Sequence, residues 1–425
     1  MKKTKSSVKV EKLNLKWRIF FIITGLLGGI FLIKIIYGYY PSITSSITNT
    51  LTRVFFWLFI GVGASCIVGL IFFQKWIYAK RKELLLFFSV FLLGIIFIEI
   101  FLRVLDHRQI RFSPHPYLNY MGTPNYKSAD GLNMHNSLGF RGPEIQIPKP
   151  KNRIRIAILG GSTTYEDFVK DWKKDFARKL EYELKKSLPD KDIEVINAGL
   201  PGWDSWEDLV NLEFKLLDLD LNYIIVYEGT NDVHARFVRP DAYKADNTGS
   251  KKQWERKLCL DIWCLKIVQT ITGFDVSSFD IVAPTSAQFT ASSEYNQILG
   301  MKPIEALSKN PPIYSERNLR NIIAVARENE IGIMLATWAW SDEMKDYAAT
   351  VHYQKGFIDQ NNMVKKVGKL KSVPVYDFAK EMPMDEKYWG DGRHNNEKGV
   401  NLKAKLFRDF IIKNNILEKK EQNIQ

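Results

Sequence analysis

Three apolar runs crowd the first quarter of the chain and constrain its fold more firmly than any other feature. Residues 19–33 form the first run, which continues past Lys34 to Tyr40. Residues 54–73 carry no charge, and residues 84–102 carry only Glu99, close to the end of the run. A helix of roughly 20 apolar residues crosses the hydrocarbon core of a bilayer. Core helices of a water-soluble domain would show a polar stripe, which these runs lack. The sequence therefore predicts three N-terminal transmembrane helices within residues 1–106, with the lipid bilayer as partner.

The short flanks set an orientation. Lys2, Lys3, Lys5, Lys9, Lys12, Lys16 and Arg18 precede the first run, against the single acidic Glu11. Arg53 is the only charge in residues 40–53, whereas Lys75, Lys80, Arg81 and Lys82 follow the second run. The excess of Lys and Arg on cytoplasmic loops then predicts a cytoplasmic N-terminus in the cell membrane, with everything after about residue 103 outside the cytoplasm. The first run is long and is not followed by a small-residue cleavage site, so a removable signal peptide is not expected. The net charge of +13 is largely this topology signal and an attraction to anionic lipid. No basic stripe interleaved with aromatics appears in the remainder, so nucleic acid is not expected as a partner. Cys66 falls inside the second run, while Cys259 and Cys264 would face an oxidising compartment and leave their pairing open. Cys and His nowhere adopt metal-ligand spacing, and neither a metal nor a cofactor is expected.

Residues 107–151, rich in Pro, Asn, Gly and Tyr, read as an extended, turn-rich connector. After it, strand-like and helix-like segments alternate over residues 152–417, before a polar tail at 418–425. Strands are expected at "RIRIAIL", "IEVINA", "YIIVYEG", "IGIMLATWAW" and "VPVYDF". Helices are expected over 166–188, from Asp204 or Ser205 onward, over 316–330, and from about Glu397 to Asn414. Such alternation predicts a parallel sheet covered on both faces. Residues 233–312 are too long for an ordinary connection and read as a helical insertion that shapes a substrate site.

Chemistry in an open α/β sheet gathers at the carboxyl ends of the strands. Four loops there carry suggestive residues: "GGSTT", "NAGLPGWDS", "EGTND" and "GDGRHNNEKG". Together they meet the needs of acyl transfer. Ser162 sits at a strand-to-helix turn, where the helix N-terminus favours developing negative charge. A serine hydroxyl needs a base, and His394 can take its proton while Asp391 fixes the imidazole. The backbone N–H of Ser162, the N–H of Gly202 and the amide of Asn231 can receive an oxyanion. Gly199 is the alternative oxyanion glycine, His234 a rival histidine near the same edge, and Asp232 a residue that orients Asn231. Trp203, Trp206, Trp338 and Trp340 are either core or stacking platforms for sugar rings.

The ordered set Ser162, Gly202, Asn231 and Asp391-x-x-His394 resembles the SGNH hydrolases, also called GDSL-type esterases and lipases. The resemblance covers residues 153–416, with 233–312 unmatched. It implies a flavodoxin-like three-layer α/β/α domain, Ser162 as nucleophile, Gly202 and Asn231 in the oxyanion hole, and Asp391 and His394 completing a triad. The first block departs from the family's common "GDS" and reads "GGS". The lead-in "NSLGFRG" at 136–142 is similar to the segment before this domain in bacterial members near surface-polysaccharide biosynthesis. An esterase or acyltransferase for small O-acyl groups of extracytoplasmic glycans is the expectation that follows, with room for a membrane partner protein. A lipase or lysophospholipase at the bilayer, and a non-catalytic module of a membrane assembly, are the alternatives. Acyl length, hydrolysis against transfer, and oligomeric state are not set by these residues.

Overall fold

The computed structural model describes residues 72–105, 111–246 and 301–418, apart from 116 and 345, with scattered positions between 19 and 69 and residue 267. These residues divide between two compact units: 72–105 lie in the first, 111–246 and 301–418 in the second.

In the first unit a short helix α1 (Gln74–Ala79) precedes α2 (Arg81–Leu105). The segment Arg81–Val104 is, among the described residues, the one helix long and apolar enough to cross a membrane, by length and composition, with mean hydropathy 2.8. Its sole interior acid, Glu99, accepts from Arg103 Nε one turn later at 2.7 Å, so the helix carries that charge as a pair. The first two apolar runs expected to span the membrane fall largely outside the described residues.

The second unit is built on five parallel strands: β3 (Arg153–Leu159), β4 (Asp192–Asn197), β5 (Tyr223–Val226), β6 (Gly332–Ala336) and β7 (Val375–Tyr376). A separate antiparallel hairpin joins β1 (Phe112–His115) to β2 (Asn119–Gly122). The sheet order is β4-β3-β5-β6-β7, the flavodoxin-like order, whose direction of winding reverses between β3 and β5. Ile156, Ala157, Ile158 and Leu159 of β3 are wholly buried, as expected of a strand covered on both sides. Ile156 and Ile158 pack with Phe176, Leu180 and Leu184 of α4 (Phe176–Ser187), while Ala157 and Leu159 pack with Leu212, Leu216, Leu319 and Ile323 on the opposite face.

Three features of this unit depart from or add to the expectations. The helix expected over 166–188 is broken. A four-residue helix α3 (Ser162–Tyr165) stops at Glu166, which adopts φ 65°, and α4 starts only at Phe176 under an Asp175 cap that accepts from Arg178 N–H at 2.8 Å. The cause lies far away in sequence. The buried Arg141 guanidinium donates to the carbonyls of Tyr165, Glu166, Val169 and Lys170 at 2.5–3.0 Å, taking acceptors that a continuous helix would use.

The second concerns a helix with no expectation behind it. After α5 (Ser205–Asn211), α6 (Thr230–Ala235), α7 (Pro303–Lys309) and α8 (Ile313–Glu328), the long α9 (Val351–Lys371) supplies the crossover from β6 to β7. Its apolar face is interrupted by Gln360 and Asn361, both buried. Asn361 accepts from Trp338 N–H at 2.7 Å and donates to Trp338 O at 2.9 Å. These polar residues serve tertiary contacts and mask the helical period. A short α10 (Phe378–Glu381) and α11 (Glu397–Lys413) complete the unit.

Thirdly, residues 111–151, expected as an extended, turn-rich connector, pack against the sheet domain that follows them. Phe112, Leu118 and Tyr120 form a small core with Tyr165, Leu200 and Trp203, and Arg141 bridges to Asn197 at the end of β4. The lead-in motif thus braces the turn after β3. Of the insertion, the two ends and residue 267 are described. Arg236 Nε donates to Asn310 O at 2.7 Å, and Asn310 Nδ2 returns a bond to Arg236 O at 2.8 Å, so the two ends are tied together.

Candidate active site

The turn after β3 is shaped by what surrounds it. A Cβ built on Gly161 would lie 2.5 Å from Asn231 Nδ2 and 2.9 Å from both Glu228 Oε2 and Trp203 O. Glycine here, where "GDS" would place Asp, lets the Asn231 amide close onto the turn. Ser162 opens α3, and its N–H takes no partner among the described residues.

Ser162 Oγ lies 2.7 Å from His394 Nε2. His394 Nδ1 lies 2.9 Å and 3.1 Å from the two oxygens of Asp391. Asp391 also accepts the N–H groups of Arg393 and His394, each at 2.7 Å, and Arg393 Nη2 at 3.0 Å. Burial raises this carboxyl, but the hydrogen bonds and charges of His394 and Arg393 outweigh it and hold the group well below the usual carboxylate range. An ionised carboxylate only accepts, so Nδ1 carries the imidazole proton and Nε2 is free to accept from the Ser162 hydroxyl. The loop is stiffened in turn by Asp346, which accepts from Gly392 N–H and Arg393 Nε, each at 3.2 Å. The Arg393 guanidinium rests 4.0 Å from the centre of the Tyr347 ring.

Gly202 follows β4 at φ 80°, a conformation in which a side chain is strained. Asn231 lies in the first turn of α6, and its Nδ2 donates to Trp203 O at 2.6 Å, next to Gly202, which fixes the amide. The Ser162 N–H, Gly202 and the Asn231 amide therefore come from three different loops at the reversal point of the sheet. Gly199 is less suited to an oxyanion, since its N–H already donates to Asn197 Oδ1 at 3.3 Å.

Beneath the turn, Gly160 N–H donates to Asp208 Oδ1 at 3.0 Å and Gly229 N–H to Glu228 Oε1 at 2.8 Å. Burial first, then neighbouring negative charge (Asp232, Asp204 and Glu207 on Asp208; Asp208 and Asp232 on Glu228), push both carboxyls well above their usual range. Asp232 accepts from Ser205 Oγ at 2.7 Å and Gln360 Nε2 at 3.2 Å. His234 is buried edge-on against Tyr347 and Tyr353.

Other expectations fared differently. Trp203 is only 2 % exposed and donates to Tyr120 O at 3.1 Å, a core position with no face for a sugar. Trp338 is likewise buried and donates to Thr163 Oγ1 at 3.2 Å. Phe168, within the helix expected over 166–188, is 50 % exposed and stacks on the His394 ring at 4.9 Å. Sequence reasoning missed Phe168, Asp346 and Arg393 as parts of this site. Only the dipeptide "RH" beside Asp391 signalled one of them. Cys259 and Cys264 lie outside the described residues. Among the described residues no group of three or more His, Cys, Asp and Glu could hold a metal ion.

Residues 158–402 match the GDSL-like lipase/acylhydrolase family. The chain belongs to that family. As a GDSL-type member it is an SGNH serine hydrolase. Among solved structures it is similar to a GDSL-like lipase from Bacteroides thetaiotaomicron, at 14 % identity over 64 % of this chain and 92 % of that one, with a TM-score of 0.36. It is also similar to a lipase/acylhydrolase from Enterococcus faecalis (17 % identity, 61 % and 96 % coverage, TM-score 0.35). An acetylxylan esterase from Geobacillus stearothermophilus matches at 13 % identity, with 61 % and 94 % coverage and a TM-score of 0.36. No curated protein matches the chain.

Proposed function

We propose that this GDSL-family hydrolase is a membrane-anchored bacterial esterase or acyltransferase for small O-acyl groups, acetyl above all, on glycans outside the cytoplasm. The observation that carries the reading is the unbroken series from Asp391 through His394 to Ser162, at 2.9 Å and 2.7 Å. In this reading Ser162 Oγ attacks the ester carbonyl while His394 takes its proton, and Asp391 holds the imidazole in the required tautomer. The N–H groups of Ser162 and Gly202 and the Asn231 amide receive the oxyanion. His394 then protonates the departing alcohol, leaving acyl-Ser162. Water completes hydrolysis; a sugar hydroxyl completes transfer. The glycan assignment is supported by the "NSLGFRG" lead-in and by the distribution of Lys and Arg around the three apolar runs, which favours a domain outside the cytoplasm.

A lipase is the second reading, favoured by α2, whose exposed Leu and Phe side chains suit contact with acyl chains. Turnover of acetyl, butyryl and lauroyl p-nitrophenyl esters by the full-length chain separates the two. Activity confined to the short esters supports the glycan reading, and preference for lauroyl refutes it. A reporter fused after Gln425 tests the topology and should be active only outside the cytoplasm.

A further inference from the structure

A wholly buried ion pair lies directly behind the Ser162 turn. Lys403 of α11 and Glu166 after α3 have no exposed side-chain surface, and Lys403 Nζ lies 2.6 Å from Glu166 Oε1. Nζ also donates to the Thr163 carbonyl at 2.6 Å. The ammonium stands 4.4 Å from the centre of the Phe176 ring and 4.5 Å from that of Tyr227, so aromatic faces complete its surroundings. Glu166 Oε2 is buried without a hydrogen-bond partner.

Stability alone does not account for such a pair, because well-packed apolar side chains of the same volume generally stabilise a core as well or better. What a charged group adds is direction. Thr163 is the residue after Ser162, and α11 starts three residues after His394. A single ammonium therefore ties the main chain beside the proposed nucleophile to the helix that follows the proposed base. Glu166 supplies the counter-charge from the left-handed position where α3 ends, and Arg141 holds its carbonyl at 2.8 Å.

We propose that Lys403, with Glu166 as its counter-ion, is a positioning residue that sets the Ser162–His394 spacing. The inference rests on the reading of Ser162 and His394 given above. Its action is geometric: Lys403 bonds the Thr163 carbonyl and touches no reacting atom.

The test compares full-length wild type, Lys403→Met and the double variant Lys403→Met/Glu166→Gln. Each is measured for kcat and KM on a short acyl ester, for the rate of fluorophosphonate labelling at Ser162, and for Tm. Lys403→Met leaves Glu166 buried without a counter-charge and is expected to lower both Tm and kcat. The double variant leaves neither charge of this pair without its partner, so its Tm returns toward wild type. Its kcat and labelling rate stay down by about tenfold to a hundredfold with KM unchanged, the scale of a small misplacement of reacting groups. A double variant that regains wild-type kcat together with its Tm makes the pair structural only and overturns the inference. Wild type that takes no label at Ser162 overturns the catalytic reading and this inference with it. Wild type and double variant labelled at Ser162 at equal rates overturn the inference alone.

Discussion

Replacing Asn231 by Ala removes one of three donors proposed for the oxyanion and leaves the other two in place. Loss of one preorganised donor from a water-poor site costs about a hundredfold to a thousandfold in kcat, or roughly 3–4 kcal/mol. Here the loss should sit at the lower end, because the Ser162 and Gly202 N–H groups do not depend on the Asn231 side chain. The fold pays a smaller penalty. Asn231 Nδ2 donates to Trp203 O at 2.6 Å, and an orphaned carbonyl there costs about 1–2 kcal/mol of stability. The assay is steady-state hydrolysis of p-nitrophenyl acetate by full-length wild type and variant, with Tm measured beside it. A transition-state contact predicts kcat down about a hundredfold and KM nearly unchanged. A change below about threefold in kcat, or a rise in KM alone, would refute the assignment of Asn231 whatever the role of Ser162.

Two other outcomes follow from the same geometry. Gly161→Ala should lower kcat by more than about tenfold, because the new Cβ would sit 2.5 Å from Asn231 Nδ2 and drive the amide off the turn; unchanged kinetics would show that the amide does not need this approach. His135 is 1 % exposed and lies 2.8 Å from Tyr165 Oη. Burial first, then the nearby Arg111 charge, lower its pKa to about 3 from an ordinary 6.5. The folded state therefore binds fewer protons than the unfolded state between those values, and stability must fall as pH drops through that window. From neutrality to about pH 5 the loss attributable to His135 is about 2 kcal/mol. Denaturant unfolding of wild type and His135→Gln at both pH values checks it: the variant should lose that much less, and an equal loss in both would show that His135 is not the cause.

Much of this architecture was legible because parallel strands buried on both faces are written as short continuous apolar runs. "RIRIAIL" and "YIIVYEG" could hardly be anything else, and the small and polar residues at their ends stood out against them. The site loops were legible for the same reason, since Ser162, Gly202, Asn231, Asp391 and His394 all follow strand ends or precede a helix. What stayed hidden depends on partners distant in sequence. Nothing near Glu166 announces that Arg141 will take the carbonyls of a would-be helix. Nothing near Gln360 and Asn361 shows that they are buried in α9 to serve Asp232 and Trp338. Phe168 had the spacing of a core residue, and only the folded His394 loop reveals that it covers an imidazole instead.

Mass spectrometry after fluorophosphonate treatment tests Ser162 as the nucleophile most directly. Full-length wild type should carry one adduct, on the peptide containing Ser162, while Ser162→Ala carries none and Asp391→Asn reacts far more slowly. An adduct on another residue, or a folded protein that takes no adduct, would contradict the account.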